Sequence, residues 1–196
     1  MRGRQERLGD HHHSTTLSLS NVGVALGFLG NYAESISHLN RALQLRENIF
    51  GTEHPQLVYC LTYLGVMLWE EGEMENARQM LERGLTIQEA GHLENEQTAE
   101  TLTYLAGVLK HMGEMKLAES YLGRALAYWE RRPEPKASQA ATTLIYWGEC
   151  LETHGDKDSA LSFYEQALAI LSGQVVETQR DWQRVQAHLA RLREAG

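Results

Sequence analysis

Leucines recur along this chain at helical spacing and fall into four matched sets. Leu19, Leu61, Leu102 and Leu144 are each followed seven residues later by Leu26, Leu68, Leu109 and Leu151, which puts both members of a pair on one helix face. A second series, Leu39, Leu81, Leu122 and Tyr164, is followed by Leu43, Leu85, Leu126 and Leu168. Between the two series stand Gly30, Gly72, Gly113 and Gly155, separated by 42, 41 and 42 residues. Each glycine is followed by a polar residue, Asn31, Glu73, Glu114 or Asp156. A glycine can take the left-handed conformation that ends one helix, and the polar residue then opens the next. The pattern predicts four helical hairpins.

Small residues hold a fixed register to these turns. Seven positions before each turn glycine lies Gly23, Gly65, Ala106 or Gly148; five after it lies Ser35, Ala77, Ala118 or Ala160; twelve after it lies Ala42, Gly84, Ala125 or Ala167. Two helices of a hairpin can approach closely where neither carries a bulky side chain. Filling such a contact costs on the order of 1–3 kcal/mol. The apolar stripe on two sides of each hairpin needs a neighbouring hairpin to cover it, the logic of a repeat array.

At these residues the chain resembles the tetratricopeptide (TPR) family. The spacing of small residues and turn, with Ala-Leu late in the second helix (Ala42-Leu43, Ala125-Leu126, Ala167-Leu168), is that family's pattern. A repeat of about 34 residues is usual there; the longer period, with the linker Arg-Glu-Asn-Ile-Phe-Gly-Thr-Glu-His-Pro at 46–55, is similar to the kinesin-light-chain subtype. The resemblance covers about residues 4–173. It implies an all-α, right-handed α-solenoid of four TPR hairpins (14–53, 54–95, 96–135 and 136–173) and a C-terminal capping helix over 174–196. In that helix Trp182, Val185, Leu189 and Leu192 follow helical spacing, and the outer face is expected to be polar.

Residues 1–13 read as the remnant of a preceding repeat and linker, since Arg4-Gln-Glu-Arg-Leu-Gly9 overlies Arg46-Glu-Asn-Ile-Phe-Gly51 after a shift of 42. The run His11-His12-His13 then falls on the linker histidine, His54. Adjacent residues on a short loop rarely supply a closed ligand set, so no metal is expected.

In TPR arrays the first helices line a concave groove, and the resemblance implies which positions do so here. They include Asn21 and Phe28 in the first repeat and Thr62, Tyr63, Val66, Trp69 and Glu70 in the second. The third gives Thr103, Tyr104 and Lys110, the fourth Tyr146 and Glu149. Tyr63, Tyr104 and Tyr146 are equivalent, and aromatic residues dominate binding hot spots; packing between repeats is the competing role for them. Family members that grip a terminal carboxylate do so with Lys, Asn and Arg, where this chain has Ser20, Val24, Tyr63, Glu100 and Tyr104. That clamp is absent. Of the paired asparagines of kinesin light chains only Asn21 remains. The expected partner is a neutral or basic protein or peptide segment with apolar anchors.

Charge and composition narrow the function classes. A formal net charge of −8 argues against a nucleic-acid partner. No apolar run approaches the length of a membrane span, and no signal segment opens the chain, so a cytoplasmic setting is expected. The histidines are scattered, and no nucleophilic triad, phosphate loop or HExxH motif stands out. Neither catalysis nor a cofactor is expected. Cys60 and Cys150 read as reduced core thiols. Two other readings stay open: a regulatory or sensor segment of a larger signalling protein, such as an ATPase-type switch, working in cis, and a self-associating adaptor.

Overall fold

A computed structural model describes residues 13–132, 137–172 and 179–194. The Arg4–Gly9 overlay and the side chains of His11, His12 and His13 lie outside the described residues, as does Gly173. Among the described residues there are nine α-helices and no strand. They are α1 (His13–Phe28), α2 (Tyr32–Phe50), α3 (Val58–Glu70), α4 (Met74–Ala90), α5 (Glu96–His111), α6 (Met115–Glu130), α7 (Ala137–Thr153), α8 (Lys157–Leu171) and α9 (Gln179–Glu194); a short 3₁₀ turn (Pro55–Leu57) precedes α3. The chain divides into two compact units, residues 1–97 and 98–196.

The turns follow one design. Gly30, Gly72, Gly113 and Gly155 all have φ between +81° and +86°, a conformation in which a Cβ is strained. The amide after each glycine reaches back five residues: Asn31 donates to the Leu26 carbonyl, Glu73 to Leu68, Glu114 to Leu109 and Asp156 to Leu151, all at 2.8–3.0 Å. This is the Schellman arrangement, which satisfies carbonyls left open at a helix end. Asp156 also caps α8, its carboxylate accepting from the Ser159 amide at 3.1 Å.

In the first unit α1 pairs with α2, α3 with α4, and α2 also packs on α3. The small positions are where the helices meet. A Cβ on Gly65 would lie 2.6 Å from Leu81 Cγ, and one on Gly23 would lie 2.9 Å from Leu39 Cγ. The Ser35 hydroxyl uses the same closeness to donate to the Gly23 carbonyl at 2.6 Å. Leu39, Leu61, Ala42, Ala77 and Leu81 are fully buried. In the second unit α7 pairs with α8, α6 packs on α7, and α9 packs on both α8 and α7. There the ring of Tyr164 lies against the bare backbone of Gly148, with Cε1 2.7 Å from where a Cβ would be.

One slot, four residues beyond the last small position of each second helix, is filled differently each time, by Arg46, Gln88, Trp129 and Leu171, all of them buried. Arg46 donates to the Gln56 carbonyl (2.6 Å) and the Ser20 hydroxyl (3.0 Å), leaving its Nε without a hydrogen-bond partner among the described residues. The Trp129 indole donates to Thr143 Oγ1 at 3.1 Å. Cys60 and Cys150 are free and buried, and burial pushes both thiols up to about 11. Burial therefore favours the protonated thiol at both positions. Among the described residues no helix is long and apolar enough to cross a membrane.

Candidate functional site: the first-helix faces

The expected groove residues separate into an open set and a covered set. In the first unit Phe28, the last residue of α1, is 72% exposed, with Leu29 beside it at 77%. The Phe28 ring meets the Tyr63 ring edge-on, centroids 6.4 Å apart, and Tyr63 in turn lies 4.8 Å from Tyr59. Asn21 is exposed, while Val66, Trp69 and Glu70 are partly so. Glu70 accepts a hydrogen bond from the Tyr32 hydroxyl at 3.2 Å, which ties the end of α3 to the start of α2. Thr62, by contrast, is fully buried and offers nothing to a ligand. Gly27, another position on that face, lies beneath Met67, whose Sδ would stand 2.1 Å from an added Cβ. Leu29, Tyr59 and Tyr32 were not expected at the site; they sit at a turn, on the preceding helical turn and on a second helix, outside the groove register.

In the second unit Thr103 is 3% exposed and shares a hydrogen bond with Thr143 at 2.7 Å. Tyr104 is half-buried in a shallow cleft with Glu100, Gln139 and Thr142. Tyr146 and Glu149 depart from the expectation of an open groove: they are only 5% and 7% exposed. The reason is α9. Its Asp181 accepts from the Thr142 hydroxyl at 2.9 Å, and its Arg184 donates to Glu149 at 2.7 Å while lying 4.8 Å over the Tyr146 ring. One turn on, His188 sits between Glu149 (3.2 Å) and Glu152 (2.8 Å) and stacks on Tyr164 at 4.7 Å. Arg191 closes the series on Glu152 at 2.7 Å. Lys110 of α5 pairs with Glu149 from the other side.

The polar residues of α9 are therefore not all outward. Val185 and Leu189 are buried as their spacing suggested, but Trp182 is 43% exposed. The signal in the sequence was the run Arg184, His188, Arg191, whose i, i+4, i+7 spacing makes one basic stripe matched to Glu149 and Glu152. Burial alone would raise the Glu149 carboxyl; the hydrogen bond from His188 and the charges of Arg184 and Lys110 outweigh it and hold it at about 2. Glu152 is lowered too, its burial outweighed by hydrogen bonds from Tyr164 and Arg191. Burial pushes the Tyr146 hydroxyl up to about 12.

A group held below its ordinary value stabilises the fold when ionised. Glu149 contributes in full above its ordinary 4.5, and the contribution drains away as pH falls toward about 2. The docking of α9 is therefore expected to weaken across that window, read by amide exchange of α9 against pH. Glu149→Gln should flatten the dependence, and an unchanged profile in that variant would assign the acid sensitivity to other groups.

A family model described as tetratricopeptide repeat matches residues 14–90 and 97–172. The chain belongs to the tetratricopeptide-repeat family. No protein of curated function matches the sequence. Solved TPR-type structures share its fold at low identity. BtubC (BKLC) from P. vanneervenii is 20% identical with a TM-score of 0.69, over 92% of this chain and 79% of that one. A kinesin-light-chain-like protein of nearly identical TPR-like repeats from Podosopora anserina is 19% identical, TM-score 0.70, over 94% and 88%. A Rap protein, solved in complex with Competence and Sporulation Factor, is 17% identical, TM-score 0.77, over 90% of this chain and 48% of that one. Among the described residues of this TPR chain no group of His, Cys, Asp and Glu side chains is arranged to hold a metal ion.

Proposed function

We propose that this chain is a non-catalytic, cytoplasmic scaffold that binds a protein or peptide segment on its first-helix faces, with the open site in the first unit. The observation that carries the reading is the cluster of Phe28, Tyr63 and Tyr59, an aromatic patch whose outermost ring is 72% exposed. Such rings offer large contact area with little side-chain entropy to lose. Asn21, Val66, Trp69 and Glu70 belong to the same groove register, and Tyr104 and Lys110 hold on the second unit's own first helix the positions of Tyr63 and Trp69. With Glu70 among the groove positions, the fitting ligand is neutral or basic with apolar anchors. TPR family membership supports a protein-interaction role, and the Rap relative is itself solved with a bound factor.

The test is selection of peptides from a displayed random library on the intact protein, followed by affinity measurement. Phe28→Ala with Tyr63→Ala should weaken the selected peptides by about a hundredfold or more, as for two hot-spot aromatics, with helical content unchanged. Binders that ignore both substitutions would refute the site.

A further inference from the structure

We infer that α9 is an in-cis ligand, occupying on the fourth hairpin a binding surface for the basic amphipathic helix of another protein. The inference deepens the proposed function, since it treats first-helix faces as binding surfaces, but it concerns a site that does not include Phe28 or Tyr63.

Three observations carry it. Tyr146 and Glu149 stand on α7 at the positions that Tyr63 and Val66 hold on α3, so α9 covers positions that stay partly exposed in the first unit. The contact is matched in chemistry along its length: Arg184 lies over Tyr146 and on Glu149, His188 bridges Glu149 and Glu152, and Arg191 ends on Glu152. Finally, each carboxylate also has a partner outside α9. Lys110 of α5 pairs with Glu149, and Tyr164 of α8 donates to Glu152 at 2.7 Å, so both carboxylates keep a partner when the helix leaves. An acidic pair already positioned by its own body is a preorganised receptor.

Toward both ends of the helix a large side chain reaches solvent. Val185 and Leu189 are its deeply buried aliphatics, Trp182 is 43% exposed, and Arg191 is 64% exposed at its side chain; exposed ion pairs contribute little. A competitor needs Arg, His or Arg, and Arg at i, i+4 and i+7, with aliphatic residues at i+1 and i+5 to replace Val185 and Leu189.

A labelled synthetic peptide of residues 179–194 is the probe. In the full chain, Arg184→Glu with Arg191→Glu repels α9 from Glu149 and Glu152. The released protein should bind the peptide at least tenfold tighter than the unaltered protein does. Adding Glu149→Lys to it should remove that gain, and a scrambled peptide of the same composition should not bind. In the unaltered protein, α9 amides should exchange with solvent before those of α7 and α8. The inference is overturned if α9 exchanges together with α7 and α8, or if the released protein loses helix beyond α9 itself. Equal binding of the scrambled peptide, no gain on release, or self-association of the released chain would overturn it as well. The Phe28→Ala, Tyr63→Ala protein should behave here as the unaltered one, so the two sites fail or stand separately.

Discussion

Tyr164→Ala is expected to destabilise the second unit by about 3–5 kcal/mol, the range for deleting a fully buried aromatic ring. Tyr164 is wholly buried, its ring lies on the bare backbone of Gly148, and its hydroxyl donates to Glu152 at 2.7 Å. The glycine has no side chain with which to refill the space, so the cavity persists. Tyr164→Phe keeps the ring and loses one hydrogen bond to a charged acceptor. Because Arg191 and His188 still hold that carboxylate, its cost should be nearer 1–2 kcal/mol. Urea unfolding of the intact chain, followed by helical signal, measures both. Equal losses in the two variants would mean that the hydroxyl, and not the ring, holds the hairpin.

Gly65→Val is the second large effect, at about 3 kcal/mol in the first unit, near the upper end for overpacking a tight contact. An added Cβ meets Leu81 Cγ at 2.6 Å and the Ala77 carbonyl at 3.1 Å. The leucine can swing aside, but the carbonyl belongs to α4's backbone, so the two helices must separate. Glycine's poor helix propensity returns only a few tenths to one kcal/mol on substitution. Thermal unfolding compared with Gly123→Val makes the control clean, since a Cβ on Gly123 meets the Trp147 ring only at an ordinary 3.6 Å. A Gly65→Val protein as stable as the control would show that α3 and α4 can part at little cost.

These contacts were legible in the sequence because they are local and repeated. Turn glycines, small positions and leucines occur four times at a set spacing, and a hairpin of about forty residues contains both sides of its own contact. Whether a face is open or covered was not legible in that way. Tyr63 and Tyr146 hold the same register, yet the first meets Phe28 at the surface while the second lies under Arg184. The difference depends on where α9 comes to rest, and residues some 35–39 apart in sequence decide it. The acidic pair Glu149 and Glu152 and the basic stripe of α9 were both visible, but their pairing is a tertiary fact. Similarly, Thr62 and Thr103 share a helix face with neighbours that reach solvent, but they are short enough to be buried between helices.

Arg46, Gln88, Trp129 and Leu171 occupy one equivalent slot with four unlike side chains, and that has a bearing on how the chain assembles without error. Near-identical hairpins invite pairing with the wrong neighbour, a characteristic failure of repeat proteins. Here the partners are side-chain specific: Arg46 donates to the Gln56 carbonyl and the Ser20 hydroxyl, and Trp129 to Thr143, so a misplaced hairpin brings the wrong group to the slot. The unlike residues act as addresses that distinguish otherwise interchangeable modules. Shuffling the order of the hairpins would preserve every glycine and leucine of the pattern while misdelivering these side chains, so the order of the modules is itself part of the information that the sequence carries.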